Sequence, residues 1–196
     1  MRLIQVGVGG FGKYWLDCIC REPEAEMAAM VDSSGAALDQ AVQTTGLPRD
    51  TCFTSLDQAL ESVEADALVC VTPPETHCEI VIKGLEAGLH VISEKPMAAT
   101  MEECKAMLRA SLRTGRHYVV SQNYRYRPEM WTLARAVDEY DLGEVGQVRV
   151  EFFKGHNFGG GFRHAMEYPL IVDMAIPHFD LLRYLTRLDP VSVKAA

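Results

Sequence analysis

Short apolar runs alternate with segments of helical spacing over the first part of the chain, and this alternation restricts the fold more than any other feature. The runs that predict buried strands are residues 3–8, 27–31, 67–71, 89–92 and 118–120, with a weaker run at 52–53. Apolar side chains recur at helical spacing between successive runs, as expected for crossover helices that connect parallel strands. The pattern predicts an α/β domain with a doubly wound parallel sheet over residues 1–121.

The pattern changes after residue 121. Residues 130–140 and 169–188 have helical spacing, and residues 157–161 predict a flexible glycine-rich loop. Residues 147–153 alternate with a period of two, which predicts a half-buried strand, and residues 191–194 predict the start of another strand. We therefore expect a partial, truncated α/β domain over residues 122–196. Because a unit of about 75 residues is marginally stable alone, we expect it to depend on the first domain, a second copy or residues beyond this chain.

The charge and the cysteine content exclude several classes of protein. The net charge is -8 and no basic run occurs, so we expect neither nucleic acid nor an anionic membrane as a partner. No apolar stretch approaches the ~20 residues of a membrane helix, and the chain enters a strand without a signal-peptide pattern. The six cysteines form no CxxC pair, which indicates reduced thiols in a cytoplasmic protein and no metal site.

A glycine-rich loop with the sequence GVGGFG occupies residues 7–12, directly after the first predicted strand. Its spacing fits G-x-G-x-x-G, and a predicted helix follows it. In this context Gly7 permits a tight turn, Gly9 lets the backbone approach a pyrophosphate, and Gly12 allows close packing of the helix on the strand. The loop predicts a dinucleotide site at the helix N-terminus, with a tight turn without ligand as the alternative. The residues assigned to the cofactor here are Gly7, Gly9, Gly10, Phe11 and Gly12.

Asp32 lies twenty residues after Gly12, at the end of the second predicted strand. A carboxylate at this position accepts hydrogen bonds from the adenosine ribose hydroxyls and repels a 2′-phosphate. We therefore predict NAD as the cofactor, in preference to NADP. The alternative role for Asp32 is a helix cap.

The segment Glu94-Lys95-Pro96 follows the apolar run at 89–92, so Lys95 is expected at the carboxyl end of a parallel strand. Ligands bind beyond the carboxyl ends of the strands in open α/β sheets. A lysine placed there, beside a nicotinamide, can exchange a proton with a substrate hydroxyl or carbonyl. Thr72-Pro73-Pro74 follows the run at 67–71 and predicts a turn that borders the same crevice. For His77, early in the next helix, a structural or capping role is the simpler interpretation.

Together these motifs resemble the glucose–fructose oxidoreductase / inositol dehydrogenase (Gfo/Idh/MocA) family. The resemblance covers the glycine loop, the motifs just described, Asn123-Tyr124-Arg125 and residues 173–185. It implies an N-terminal Rossmann domain and a second α/β domain with an open, mostly antiparallel sheet that packs against another subunit of a homo-oligomer. It also implies hydride transfer between the nicotinamide of NAD(P) and a CH–OH group of a small-molecule sugar, cyclitol or related polyol.

The resemblance also implies roles for single residues. Lys95 matches a lysine that hydrogen-bonds the reacting oxygen, and Glu94 matches an acid that helps to place the nicotinamide. Pro96 matches a proline whose peptide bond is often cis. The other residues assigned to cofactor binding are Thr72, Pro73, Pro74, His77 and Asn123.

The segment that begins at Asp173 departs from the family pattern. Family members carry an aspartate and a catalytic histidine four residues apart, but the second position is Pro177 here and His178 follows it. Residues five apart differ by about 140° around a regular α-helix, so Asp173 and His178 are not expected to share a face. A proline also costs about 3 kcal/mol inside a helix unless it lies in the first turn or at a kink.

Three interpretations follow for the catalytic residues. In the first, Lys95 works with another proton carrier, for which His164 and Tyr168 are candidates. In the second, a distorted helix brings Asp173 and His178 together as the acid/base pair. In the third, the protein binds NAD with weak or no turnover. A redox-neutral glycoside hydrolase that uses NAD transiently is a further activity implied by the resemblance. Arg125 and Arg163 suit a polyol or carboxylate substrate, and equally an ion pair.

Overall fold

The structure is a computed structural model that describes residues 1–153 and 162–194. By its internal contacts the chain divides into two compact units, Met1–Ser121 and Gln122–Ala196, and each is described by itself. The glycine loop predicted at 157–161 lies outside the described residues. Within the described ranges, no helix combines the length and the apolar character needed to cross a membrane.

Six parallel strands form the sheet of the first unit, all of whose residues are described. In chain order they are β1 (Arg2–Val6), β2 (Glu26–Val31), β3 (Cys52–Phe53), β4 (Ala67–Cys70), β5 (His90–Ser93) and β6 (Tyr118–Val120). Their order across the sheet is β3-β2-β1-β4-β5-β6, and each neighbouring pair is parallel. The chain therefore winds outward from β1 in one direction and from β4 in the other, which confirms the predicted doubly wound sheet.

Helices connect the successive strands of this unit. They are α1 (Gly12–Arg21), α2 (Gly35–Thr45), α3 (Leu56–Ser62), α4 (Pro74–Glu86) and α5 (Met101–Thr114). Local sequence explains the bounds of α5. Thr100 and Glu103 form a reciprocal capping box at its start, and Gly115 ends it in the left-handed conformation with φ 67°.

The sheet is buried on both faces, which is why its strands read as continuous apolar runs in the sequence. Successive side chains of a strand point to opposite faces. Along β4, Ala67 and Val69 pack in a cluster with residues of α1 and α2. Leu68 and Cys70 pack in a second cluster with residues of α3, α4 and α5. The helices are thereby fixed on both sides of the strands whose carboxyl ends carry the predicted motifs.

All regular elements among the described residues of the second unit are helical. Its elements are a 3-10 turn (Asn123–Tyr126), α6 (Pro128–Glu139), α7 (Phe162–Ala165), a π-helical turn (Leu170–Met174) and α8 (Ile176–Thr186). The helices predicted at 130–140 and 169–188 are confirmed, the second with a break at Ala175 between the π-helical turn and α8.

The two strands predicted in the second unit are wrong. Residues 147–153 and 191–194 form no strand, and their side chains are exposed. A strand needs ladder hydrogen bonds to a neighbour, and no described residue of this unit pairs with either segment. The period-two pattern is thus present without a partner. The antiparallel sheet implied by the resemblance has none of its strands among residues 122–153 and 162–194.

We expect Leu68→Ala to lower the free energy of unfolding by about 2–5 kcal/mol, because it leaves a cavity in the place of a fully buried side chain. A urea titration of the first unit's transition measures this. The matched control is Leu112→Ala on α5, whose side chain is 74% exposed and whose loss should change stability by less than about 0.5 kcal/mol. Equal effects of the two changes would contradict the assignment of Leu68 to the core.

Candidate cofactor and active site

The glycine loop joins β1 to α1 through a turn that has no room for side chains at two positions. Gly7 has φ 89°, and a Cβ on it would lie 2.4 Å from the Val71 carbonyl oxygen. A Cβ on Gly12 would lie 2.2 Å from the Gly7 carbonyl oxygen. Both distances are far below van der Waals contact. The geometry fits the tight turn and the close helix packing expected of these two glycines.

The other loop residues are open to a ligand. A Cβ on Gly10 would meet no atom within 4 Å, and one on Gly9 would only make ordinary contacts, with Ala37 Cβ at 3.7 Å and Asp32 Oδ2 at 3.8 Å. Phe11 is exposed and packs on Tyr14, with ring centroids 5.3 Å apart. No described side chain caps the N-terminus of α1. The N–H groups of Gly12 and Tyr14 donate to the carbonyl oxygens of Gly9 at 2.7 Å and Phe11 at 3.1 Å, and the positive end of the helix dipole still favours an anion there.

Gln5 holds this loop from the strand beneath it. Its side chain is fully buried, and Nε2 donates to the carbonyl oxygens of Gly7 at 2.9 Å and of Gly12 at 2.8 Å. One side chain thus fixes both ends of the loop. Sequence reasoning missed this residue, although a single glutamine inside an otherwise apolar strand was the available signal, because a buried amide must find partners.

Asp32 joins the end of β2 to the same loop. Its Oδ2 accepts from the backbone N–H groups of Val8 at 3.0 Å and Gly9 at 3.3 Å, and its Oδ1 accepts from Ser34 N at 2.9 Å. The helix-cap alternative does not describe it, because the cap of α2 is Ser34, whose side chain accepts from Ala37 N. A carboxylate offers about four lone-pair sites, so three bonds leave capacity for a ribose hydroxyl.

His77 connects the turns that follow β4 and β5. It is fully buried, with Nδ1 3.0 Å from the carbonyl oxygen of Pro96 and Nε2 2.9 Å from that of Thr72. Pro73 and Pro74 occupy the N-cap and the first position of α4. These contacts give His77 a structural role at the edge of the crevice, which was the simpler interpretation of its position.

The segment Glu94-Lys95-Pro96 directly follows β5. Glu94 Oε1 accepts from the indole Nε1 of Trp15 at 2.9 Å, and Oε2 accepts from Lys95 N at 3.1 Å. The Lys95–Pro96 peptide bond is cis, as the resemblance implied. Lys95 is half-buried at the carboxyl end of a parallel strand, where the sequence predicted it.

The first unit therefore brings its predicted residues to one edge of the sheet. The loops after β1, β2, β4 and β5 lie at the carboxyl ends of parallel strands, and the strand order reverses between β1 and β4. Ligands of open α/β sheets bind at this reversal point. A helix N-terminus without a side-chain cap, a glycine loop that is closed at Gly7 and Gly12 but open at Gly9 and Gly10, and a carboxylate at the end of β2 suit a dinucleotide, so the residues fit NAD.

Two arginines of the second unit are engaged in ion pairs. Arg125, in the 3-10 turn after the exposed Asn123, binds both carboxylate oxygens of Asp180, and this hydrogen bonding raises the pKa of Arg125. Arg163 Nε donates to Oδ2 of the fully buried Asp173. Both arginines therefore take the ion-pair role, one of the two that the sequence left open.

The helix around Pro177 is irregular. Ala175 N donates to the carbonyl oxygen of Leu170, five residues back, at 2.8 Å. Pro177 lies in the first turn of α8, the position where a proline is tolerated. The expectation that Asp173 and His178 lie on different faces assumed a regular α-helix, and the helix is not regular here. A π-turn of this kind is frequent at functional sites.

His178 lies against aromatic rings of its own unit. Its ring centroid is 4.6 Å from that of Phe152 and 5.5 Å from that of Tyr124. Burial and the nearby Arg127 lower the pKa of His178, which favours the neutral ring. Its buried Nε2 has no hydrogen-bond partner among the described residues. The other two candidate proton carriers, His164 in α7 and Tyr168, are exposed.

The fold and the glycine loop define an NAD-binding Rossmann protein. Residues 1–122 match the family model GFO_IDH_MocA, described as "Oxidoreductase family, NAD-binding Rossmann fold". The chain belongs to this oxidoreductase family.

Individual relatives agree with the family assignment. The protein y4oX of Sinorhizobium fredii (strain NBRC 101917 / NGR234), which is uncharacterized, is 32% identical over 201 residues, covering 99% of this chain and 56% of that protein. The inositol 2-dehydrogenase of Rhizobium meliloti (strain 1021) is 28% identical over 200 residues, covering 97% of this chain and 56% of that protein. The chain thus spans a little over half the length of these relatives.

A solved structure with bound ligands shares the fold. The WlbA dehydrogenase of Bordetella pertussis, in complex with NADH and UDP-GlcNAcA, superimposes with a TM-score of 0.82 at 28% identity. The match covers 94% of this chain and 59% of that one.

We expect Gln5→Glu to destabilise the protein more than Gln5→Leu. Leucine removes the donor to the buried carbonyl oxygens of Gly7 and Gly12, which costs about 1–3 kcal/mol. Glutamate removes the same donor and also places a carboxylate that repels these oxygens. Urea denaturation without cofactor measures both. Gln58→Glu makes the same chemical change on the exposed side of α3 and should alter stability by less than about 0.5 kcal/mol. If Gln5→Glu matched that control, the bonds assigned to Gln5 would be wrong.

Proposed function

We propose that this chain carries the cofactor-binding part of an NAD-dependent dehydrogenase that acts on a CH–OH group of a sugar, cyclitol or related polyol. The observation that carries the proposal is the place of Lys95. It is half-buried directly after β5, at the carboxyl edge of the sheet and one strand from the reversal between β1 and β4. The relatives support the substrate class, since one is an inositol 2-dehydrogenase and another was solved with a nucleotide sugar.

When bound, NAD would supply the acceptor for the hydride of the CH–OH carbon. Lys95 hydrogen-bonds the reacting oxygen and stabilises the charge that develops on it as its proton leaves. Glu94 helps to place the nicotinamide end of the cofactor, and Gly9 and Gly10 receive the pyrophosphate on the turn that Gly7 and Gly12 make possible. The turn from Thr72 to Pro74 borders the cofactor.

For the residue that takes up the proton, the candidates are His164, Tyr168 and His178, the last with Asp173. The lowered pKa of His178 supports a role as acceptor, because a neutral imidazole can accept a proton at neutral pH. The position of the family's usual histidine is Pro177. NAD binding without turnover is therefore the competing proposal. With or without turnover, we propose that the protein forms a homo-oligomer through the second unit.

We expect Lys95→Ala to lower turnover of a responsive polyol by about 10²–10⁴-fold while NADH still binds, because the change removes the group on the reacting oxygen and spares the glycine loop. Turnover is followed by nicotinamide absorbance and binding by calorimetry. Lys105→Ala, at an exposed position on α5, is the control and should leave both unchanged. Unchanged turnover in Lys95→Ala would reject the lysine.

The same assay separates the competing activities. NADH binding without any absorbance change across sugars, cyclitols and polyols would favour the non-catalytic protein. Hydrolysis of a glycoside that requires NAD but gives no net NADH would favour the redox-neutral hydrolase.

We expect Asp32→Asn to raise the affinity for NADP relative to NAD by about tenfold or more, because it removes the negative charge that opposes a 2′-phosphate. Dissociation constants of both cofactors are measured by calorimetry. The control is Asp39→Asn, which removes an equal charge from the exposed side of α2. An unchanged ratio in Asp32→Asn would mean that Asp32 does not select the cofactor.

A further inference from the structure

Trp15 makes a contact that the proposed function does not use. It lies in α1, one turn after Gly12, and its indole Nε1 donates to Oε1 of Glu94 at 2.9 Å. The other oxygen of Glu94 accepts from the backbone N–H of Lys95 at 3.1 Å. Both oxygens of this carboxylate are therefore held, one by its own chain neighbour and one by a residue 79 positions away.

The bond crosses the reversal point of the sheet. α1 follows β1, Glu94 follows β5, and β4 lies between these two strands. The indole packs in the apolar cluster on the α1 face, whose partly buried members also include Val71 and Ile92. The ring is thereby held in the same apolar cluster as these two residues, and its N–H is directed to the acid that precedes Lys95.

The chemistry of the pair favours a fixed geometry. An indole N–H is a donor only, and when partly buried it needs a partner. A carboxylate is a strong acceptor, and hydrogen bonds to charged groups contribute more than neutral ones. Because the indole is packed and has only two rotatable bonds, the bond sets the direction of the carboxylate at little cost in side-chain entropy.

We infer that Trp15 is a positioning residue of the cofactor site. Through Trp15, α1 holds Glu94 beside the nicotinamide, and through its N-terminus the same helix binds the pyrophosphate. The N-terminus of α1 receives the phosphates, and its first-turn tryptophan holds Glu94, so one rigid helix sets the distance between the two halves of the dinucleotide site. This inference rests on the proposed binding of NAD.

A double-mutant cycle tests it, with Trp15→Phe, Glu94→Ala and the double variant titrated with NADH by calorimetry. Phenylalanine keeps an aromatic ring and removes the N–H. We expect Trp15→Phe to weaken binding about tenfold, as loss of a hydrogen bond to a charged group should. In the Glu94→Ala background the same change should weaken binding less than about twofold. Trp131→Phe, at an exposed tryptophan of α6, is the matched control and should not alter binding.

A second measurement reads the bond directly and does not require Trp15→Phe to fold. The chain has two tryptophans, so its proton NMR spectrum shows two indole N–H resonances. The resonance that disappears in Trp131→Phe belongs to Trp131, and the other belongs to Trp15. Glu94→Ala should shift the Trp15 resonance and leave that of Trp131 in place. Additive effects in the cycle, or an unmoved Trp15 resonance, would overturn the inference alone. Failure of the native chain to bind NADH would overturn the proposed function, and the inference with it.

Discussion

The approach of Gly12 to Gly7 is the constraint on which the cofactor side of this structure depends. A Cβ at either glycine would lie within 2.4 Å of a carbonyl oxygen, so α1 can begin directly over the end of β1 only because both side chains are absent. That start brings the helix N-terminus to the point where the strand order reverses. It also lets Gln5, in the strand beneath, reach the carbonyl oxygens of both glycines with one amide nitrogen.

Contacts between residues far apart in sequence then tie the loops of this edge to one another. Asp32 ties the end of β2 to the glycine loop, His77 ties the turn after β4 to the segment after β5, and Trp15 ties α1 to Glu94. Groups held in place before the ligand arrives lose less conformational freedom on binding. Although the candidate site consists of turns, these contacts hold its donors and acceptors in fixed positions.

The second unit shows how a local departure changes the chemistry that a family pattern implies. Pro177 occupies the position of the usual histidine, and the chain accommodates it with a π-helical turn before α8 so that the proline falls in the first turn. Asp173 is buried against Arg163, and Asp180 is paired with Arg125. His178 packs on Phe152 and Tyr124 with a lowered pKa. The chain therefore keeps the lysine of the family pattern at Lys95 and departs from that pattern at the histidine.

The sequence by itself determined the doubly wound sheet, the glycine loop and the places of Asp32 and Lys95, because burial of both sheet faces and the turn glycines leave periodic and positional signals along the chain. Its motifs also resembled the family whose model matches residues 1–122. It failed at residues 147–153 and 191–194, where an alternating pattern predicts a strand but only a neighbouring strand can form one. It also missed Gln5 and the bond from Trp15 to Glu94. Those roles were decided by tertiary structure, since a buried polar atom takes whichever partner the packed chain brings within about 3 Å.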